Sequence, residues 1–161
     1  MKESSSSMQL TRAADYGVRV MVHLAAARPG SRHSLPGLAR ATEAPESFLS
    51  KVLQALARAG LIASRRGHGG GFVLTPSGRT ANMRQVIEAV DGPVRLNICL
   101  NPGCACPRQS WCPAHPVWAR AQRAMFDVLE QAFIADLAGP QLEAPPIPPP
   151  ICNRDAKVFQ S

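Results

Sequence analysis

The strongest constraint on the fold is an amphipathic segment that leads directly into two short apolar runs around a glycine-rich turn. Between Pro45 and Gly60, apolar residues recur with the i, i+3, i+4, i+7 spacing of one helix face, at Leu49, Val52, Leu53 and Leu56. Two β-favouring runs follow at residues 61–64 and 72–75, separated by the basic sequence RRGHGGG. The pattern predicts a helix that ends at Gly60 and then a β-hairpin with a long tip.

The residues before this segment predict two further helices. Thr11 can cap a first helix that runs to about Ala27, and Ser34 with Pro36 can start a short second one. The order helix, short helix, turn, helix, hairpin is the layout of a winged helix-turn-helix, in which the helix after the turn enters a DNA major groove. We therefore expect a mostly α fold with a small β-hairpin, and we assign residues 8–92 to a winged helix-turn-helix DNA-binding domain.

The other segments are assigned from composition and periodicity. Residues 1–7 are serine-rich and indicate a disordered leader, and residues 93–115 form a cysteine loop. Residues 116–138 are predicted to form one long helix with a stripe of small residues, which we interpret as a dimerisation helix because two-fold dimers usually read DNA half-sites. Residues 139–161 form a proline-rich tail that is expected to be extended or disordered.

Composition narrows the class of function. The formal net charge is +7 and arginine supplies most of the positive charge, which favours a nucleic-acid partner, although a basic surface can also be merely solvated. No apolar stretch approaches the roughly 20 residues of a transmembrane helix, and the N-terminus does not resemble a signal peptide, so we expect a cytoplasmic protein. Because nucleotide-binding glycine loops and nucleophile elbows are also missing, we do not expect an enzyme.

Two groups of polar residues are candidates for contact with DNA. The first group lies opposite the apolar stripe of the third predicted helix and comprises Ser47, Ser50, Lys51 and Gln54. The second group lies at the hairpin tip, where arginine can enter a narrow minor groove, and comprises Arg65, Arg66 and His68. The competing interpretations are a solvated helix face and an ordinary hairpin turn.

The sequence CLNPGCACPRQSWCPAH, residues 99–115, places four cysteines and a histidine in one loop. In a reducing compartment, clustered thiols indicate metal or redox chemistry more often than structural disulfides. Thiolates with one histidine can hold zinc, but the cysteine spacings do not match paired CxxC knuckles. Cys104 and Cys106 could instead form a thiol-based redox switch. Cys152, alone in the tail, is interpreted as an incidental exposed thiol.

Several stretches of the chain resemble the Rrf2 family of bacterial winged-helix regulators, which includes IscR-like and NsrR-like branches. The resemblance rests on MQLTRAADYGVRVMVHLA, ASRRGHGGGFVLT, VIEAVDGP and the cysteine loop that leads into a long helix, and it spans residues 8–138. It implies a homodimer that binds palindromic operators in double-stranded DNA and carries an iron–sulfur cluster on a three-cysteine loop. We therefore expect a transcription regulator, acting as a repressor, whose cluster senses nitric oxide, redox state or iron–sulfur supply.

The resemblance also implies which cysteines bind the cluster. Cys99, Cys106 and Cys112 fit the family's spacing best, since five residues separate the last two. Cys104 is the spare thiol and the alternative to Cys106.

Two candidates for the fourth cluster ligand stay open. His115 completes a Cys-x-x-His sequence that resembles the IscR-like branch and its 2Fe-2S cluster. Asp15 matches the first-helix aspartate of the NsrR-like branch, in which the partner subunit's carboxylate completes a 4Fe-4S cluster. The competing interpretations are a histidine that caps the next helix and an aspartate that faces solvent.

Other functions also stay open at this stage. Zinc could stabilise the loop of a DNA-binding or interaction module that senses nothing, and a thiol-based switch needs no metal. A small electron carrier is a further alternative, and DNA binding would separate it from a regulator.

Overall fold

The structure, a computed structural model, describes residues 10–65, 67, 69–101, 103 and 106–139. The predictions for the leader, for the tail after Gly139 and for four single residues fall outside this part of the chain; those residues are Arg66, His68, Cys104 and Cys152.

The first three helices begin close to where the sequence predicts them. Thr11 accepts a hydrogen bond from the Ala14 backbone N–H and Ser34 accepts one from that of Gly37, so each of the first two helices starts at a side-chain cap. The helices are α1 (Arg12–Ala26), α2 (Leu35–Thr42) and α3 (Glu46–Arg58). Glu43, with a φ of 54°, ends α2 in the left-handed conformation and turns the chain toward α3.

A two-stranded antiparallel hairpin, the wing, follows α3. Strand β1 (Ile62–Arg65) pairs with β2 (Gly71–Leu74), with Ile62 opposite Leu74 and Arg65 opposite Gly71. Each strand lies within one residue of its predicted position. The mostly α fold with one β-hairpin is confirmed.

Two capped helical segments follow the wing. One is α4 (Pro76–Arg79), a single turn that the sequence analysis did not predict and that Thr75 caps by accepting from the Gly78 N–H. The other is α5 (Met83–Asp91), at whose start Asn82 and Gln85 form a reciprocal capping box.

The core lies where α1, α3 and α5 meet. Its fully buried side chains include Met21 of α1, Leu53 of α3 and Val86 of α5, and α2 adds Leu38. On α3 the buried side chains include the predicted apolar stripe of Leu49, Val52, Leu53 and Leu56, so the periodicity of the sequence predicted the buried face of that helix.

The long helix predicted for residues 116–138 is shorter than expected. Helix α6 spans His115–Gln131, and after a break the chain forms one more turn, α7 (Ile134–Leu137). At the break, the Met83 N–H donates to the Ala132 carbonyl at 2.9 Å and the Ile134 N–H donates to the Ala81 carbonyl at 2.9 Å. The single-helix prediction was wrong because these contacts draw Ile134 into the core, where it is completely buried.

In the part of the chain that the structure describes, no helix has the length and apolar character needed to cross a bilayer.

Replacing Gly78 with alanine should destabilise the fold. An added Cβ would lie 2.0 Å from the Leu61 backbone carbonyl oxygen, a contact that no side-chain movement can relieve. We expect the free energy of unfolding to fall by about 3 kcal/mol, measured by urea denaturation. Gly139→Ala is the matched control, since its nearest contact is an ordinary 3.4 Å, and an equal loss in both variants would contradict the argument.

Candidate DNA-binding surface and cysteine pocket

The side of α3 that faces away from the core is polar and accessible. Ser47, Lys51 and Gln54 are exposed and Ser50 is half-buried. All four candidate residues therefore lie on the open side of the helix that follows the turn, the element that enters a major groove in helix-turn-helix proteins. Their contact with DNA stays a prediction.

The loop between α1 and α2 supports the wing from the side. The Arg32 guanidinium donates to the Gly69 carbonyl at 3.2 Å, and His33 and Phe72 exchange two backbone hydrogen bonds at 2.9 and 3.0 Å. Gly71 permits this approach, since a Cβ there would lie 2.7 Å from the His33 carbonyl oxygen. Arg65 is exposed at the end of the supported strand β1.

A pair of histidines joins α1 to this supporting loop. The His23 and His33 rings pack edge to face with their centroids 5.2 Å apart, and His33 Nε2 lies 3.0 Å from the Ser31 hydroxyl. Burial, and secondarily the neighbouring His33, lower the pKa of His23 below its ordinary value of 6.5. His23 is therefore neutral near pH 7.

The cysteine loop is organised by short turns between α5 and α6. Cys99 lies in a 3₁₀ turn, Ile98–Leu100, and Cys106 begins a second turn by accepting a hydrogen bond from the Gln109 N–H at 3.0 Å. The Cys112 N–H donates to the Arg108 carbonyl at 2.8 Å, and the Cys112 carbonyl accepts from the N–H of His115, the first residue of α6.

These turns place the predicted ligands around one pocket of about 220 Å³. Cys99, Cys106, Cys112 and His115 all line it, together with Arg108, Gln109 and Trp118. The three cysteines are free, half-buried thiols. Cys104, the alternative ligand, lies outside the described residues.

The two ring nitrogens of His115 have different surroundings. Its Nε2 lies 3.5 Å from the Gln109 side-chain amide, whereas its Nδ1 is buried and has no hydrogen-bond partner among the residues that the structure describes. A buried polar atom without a partner is costly, so Nδ1 has the capacity to bind a further group.

The other candidate ligand, Asp15, lies elsewhere within the chain. It is exposed on α1, pairs with Arg19 at 2.9 Å and does not line the pocket. Across the described residues, no three Cys, His, Asp or Glu side chains are close enough together to bind one metal ion. The structure thus gathers three thiols and one imidazole around a pocket but does not bring them into a coordination sphere.

Hydrogen bonds attach the segment that enters the cysteine loop to both α5 and α6. Glu88 of α5 accepts from the Val94 N–H at 3.4 Å, and Gln122 of α6 accepts from the Leu96 N–H at 3.1 Å. Arg84 of α5 links the two helices: it pairs with Glu88 at 3.2 Å and with Glu130 of α6, and its guanidinium lies 3.7 Å from the centroid of the Phe126 ring.

Comparison with known protein families shows to which family the chain belongs. Residues 10–140 match Rrf2, described as "Iron-dependent Transcriptional regulator". The chain belongs to the Rrf2 family. It is a DNA-binding transcriptional regulator of that family and not an enzyme, as the names of its relatives also indicate.

Curated relatives cover most of this Rrf2 chain. Protein aau3 of Rhizobium meliloti is 34% identical over 139 residues, which are 84% of this chain and 89% of that protein. The HTH-type transcriptional repressor NsrR of Streptomyces coelicolor is 28% identical over 133 residues, covering 81% of this chain and 88% of NsrR.

Solved structures agree with the fold. The oxidized form of Staphylococcus aureus CymR has a TM-score of 0.63 and 25% identity, covering 82% of this chain and 97% of CymR. T. potens IscR has a TM-score of 0.64, covering 80% of this chain and 85% of IscR, and at 23% identity this likeness shows the fold alone.

Sequence reasoning missed several residues around both sites. Arg32 and His33 support the wing through contacts with residues that are far away along the chain, and no local sequence pattern predicts such contacts. Gln109 and Trp118 line the cysteine pocket, whereas Trp111, the aromatic residue inside the loop, is 67% exposed and does not. Of these residues, only Trp118 carried a local signal: its position in the first turn of the helix after the loop could have indicated that it lies close to the cysteines.

Acidification should destabilise this Rrf2 protein through His23. Because its pKa is lower in the folded state than in the unfolded chain, the unfolded state takes up the proton first as the pH falls below 6.5, and the free energy of unfolding falls in that window. We expect the urea midpoint to drop as the pH falls from about 7 through 6.5, and to drop less in His23→Gln. An identical pH dependence in the two proteins would refute this role for His23.

Proposed function

We propose that this Rrf2 protein is a homodimeric repressor that binds a palindromic operator and whose DNA affinity is controlled by an iron–sulfur cluster in the cysteine pocket. The observation that carries the proposal is the convergence of Cys99, Cys106, Cys112 and His115 on one pocket. Nitric oxide, redox state or iron–sulfur supply would act as the signal. The similarity to a protein named as a repressor, NsrR of Streptomyces coelicolor, supports the sign of regulation.

The donor set of the pocket suits an iron–sulfur cluster. Thiolates are the usual ligands of such clusters, and a histidine in place of one thiolate is an established variation. The cationic side chain of Arg108, which also lines the pocket, would offset the negative charge of the thiolates. When bound, the cluster would supply a centre that oxidation, nitric oxide or iron loss can alter.

For the fourth ligand we favour His115 over Asp15. His115 lines the pocket and has a buried Nδ1 without a partner among the described residues, so a metal bond would satisfy an atom that is otherwise costly to bury. Asp15 is already paired with Arg19 and would have to reach the pocket of a partner subunit.

The outer face of α6 supports a dimer. Val117, Ala121, Ala124 and Val128 follow one another at spacings of four, three and four residues, the repeat of a coiled-coil seam, and all four are exposed. The two valines are 60% and 68% exposed in the single chain, and a second copy would cover them. The small alanines between them would let two helices approach closely.

The contacts of Arg84 suggest how the pocket is coupled to DNA. The segment that enters the cysteine loop is hydrogen-bonded to Glu88 and Gln122, and Arg84 joins the helices that carry these two residues. Helix α5 in turn packs against α1 and α3. A change in loop conformation would therefore alter the angle between α6 and the helix that reads DNA, and small angular changes weaken paired half-site binding.

A thiol-based switch is the second candidate function. The chain resembles CymR, which has been solved in an oxidized form, and the described loop cysteines are free thiols. Analysis of the purified protein for metal separates the cluster-controlled repressor from the thiol-based switch.

Protein purified without oxygen should be brown and contain iron and acid-labile sulfide. Cys99→Ser, Cys112→Ser and His115→Ala should lose or alter the visible absorption, because each removes a donor from the pocket, whereas Cys152→Ser and Asp15→Ala should not. Cluster-loaded dimers should bind the operator at least about tenfold more tightly than cluster-free dimers at the same salt concentration.

The other outcomes of this experiment are equally definite. Colourless protein with zinc would favour the metal-stabilised module, and colourless, metal-free protein whose DNA binding responds to oxidants would favour the thiol switch. Loss of the cluster in Asp15→Ala but not in His115→Ala would assign the fourth ligand to Asp15. Equal operator affinity with and without the cluster would refute sensing.

Ala124→Glu should convert the dimer into a monomer, because the charged side chain would lie in the seam between the two copies of α6. Sedimentation equilibrium and operator titration should show dissociation and a loss of at least about tenfold in DNA affinity. Ala119→Glu is the matched control, since Ala119 is exposed on the same helix outside the stripe. Identical behaviour of the two variants would exclude α6 as the dimer interface.

A further inference from the structure

A second pocket, of about 270 Å³, lies where the C-terminal end of α1 meets the base of the wing. Its apolar lining comes from Leu24 and Pro29 on one side and from Leu74 and Pro76 on the other. Two arginines, Arg28 after α1 and Arg79 of α4, also line it. No residue of this pocket lines the cysteine pocket.

Neither arginine forms an ion pair with a carboxylate of the described residues. Among the residues that the structure describes, the ion pairs involve Arg19, Arg84 and Arg123, and none involves Arg28 or Arg79. Guanidinium groups bind carboxylates and phosphates through paired hydrogen bonds, and their strength increases beside apolar surface. The pocket therefore presents two cations that no described carboxylate pairs with, beside apolar side chains.

The other polar groups of the pocket are already engaged. The Thr75 hydroxyl donates to the Gly60 and Leu61 carbonyls, at 2.7 and 2.9 Å, and accepts from the Gly78 N–H. The Ser31 N–H donates to the Arg28 carbonyl. The arginines are consequently the groups with which a ligand would make its charged contacts.

We propose that this pocket binds a small organic carboxylate whose apolar body lies against Leu74, Pro29 and Pro76. These apolar side chains are accessible at the pocket, so a well-fitting occupant must carry apolar atoms as well as charge, which a DNA phosphate does not. Drug-sized ligands occupy roughly 300–1,000 Å³, and the smaller volume here limits the ligand to about the size of a single aromatic acid. Since the pocket joins α1 to the end of β2, its occupant would be an effector at the base of the wing.

Benzoate titrated into the full-length dimer tests the proposal. Binding should saturate in the about millimolar range and shift the amide NMR signals of Gly30 and Ser31. Benzamide, which has the same shape without the charge, and inorganic phosphate, which has the charge without the apolar body, should each bind at least about tenfold more weakly.

Variants then assign the charged contact. The double variant Arg28→Met, Arg79→Met keeps the side-chain length and should weaken benzoate binding by about tenfold or more. Arg120→Met removes a charge from an exposed position on α6 outside the pocket and should bind benzoate normally. Far-UV circular dichroism of each variant verifies that it is folded.

Three results would overturn the proposal: benzoate binding that does not saturate, equal binding of benzamide, or unchanged benzoate binding by the folded double variant. Uniformly weaker operator binding by the double variant, without any benzoate binding by the wild type, would assign the arginines to the DNA backbone instead. None of these results depends on a cluster in the cysteine pocket.

Discussion

The burial of helix α1 is the constraint on which the rest of the structure depends. It contacts α2, α3, α5, α7 and strand β2, and its Val20 and Met21 are completely buried among them. Gly17 allows α5 to approach closely, since a Cβ there would lie 3.0 Å from a methyl group of Val90. Each buried apolar side chain contributes about 1.5–3 kcal/mol, whereas an exposed ion pair such as Asp15–Arg19 contributes little. Apolar packing therefore fixes the position of α3, the helix that we propose contacts DNA.

Helix α5 connects the packed core around α1 to the cysteine region. One side of α5 packs against α1 and α3, and the other side holds α6 through Arg84, which lies against Phe126 and pairs with Glu130. The buried Ile134 fixes the far end of α6 to the same core. The cysteine pocket and α3, the helix that we propose contacts DNA, are consequently both attached to α5.

Local elements were predictable because local interactions form them. The caps at Thr11, Ser34 and Asn82 and the apolar stripes between them follow from residues three or four positions apart. The end of α6 was not predictable, because the helical pattern continues past Gln131 and only the burial of Ile134 interrupts it. The single turn of α4 was missed for a similar reason, since it depends on the close fit of Gly78 against Leu61.

The sequence by itself determined the helical faces, the wing and the kinds of chemical group available: thiols and an imidazole in one loop, and arginine at the hairpin. Only the tertiary structure decided which of these groups meet. It placed three thiols and His115 around one pocket, left Asp15 outside it, and brought Arg28 and Arg79 together beneath the wing. The physical reason is that periodicity and capping act within a few residues, whereas pockets form between elements distant in the chain, where packing of the core sets the distances.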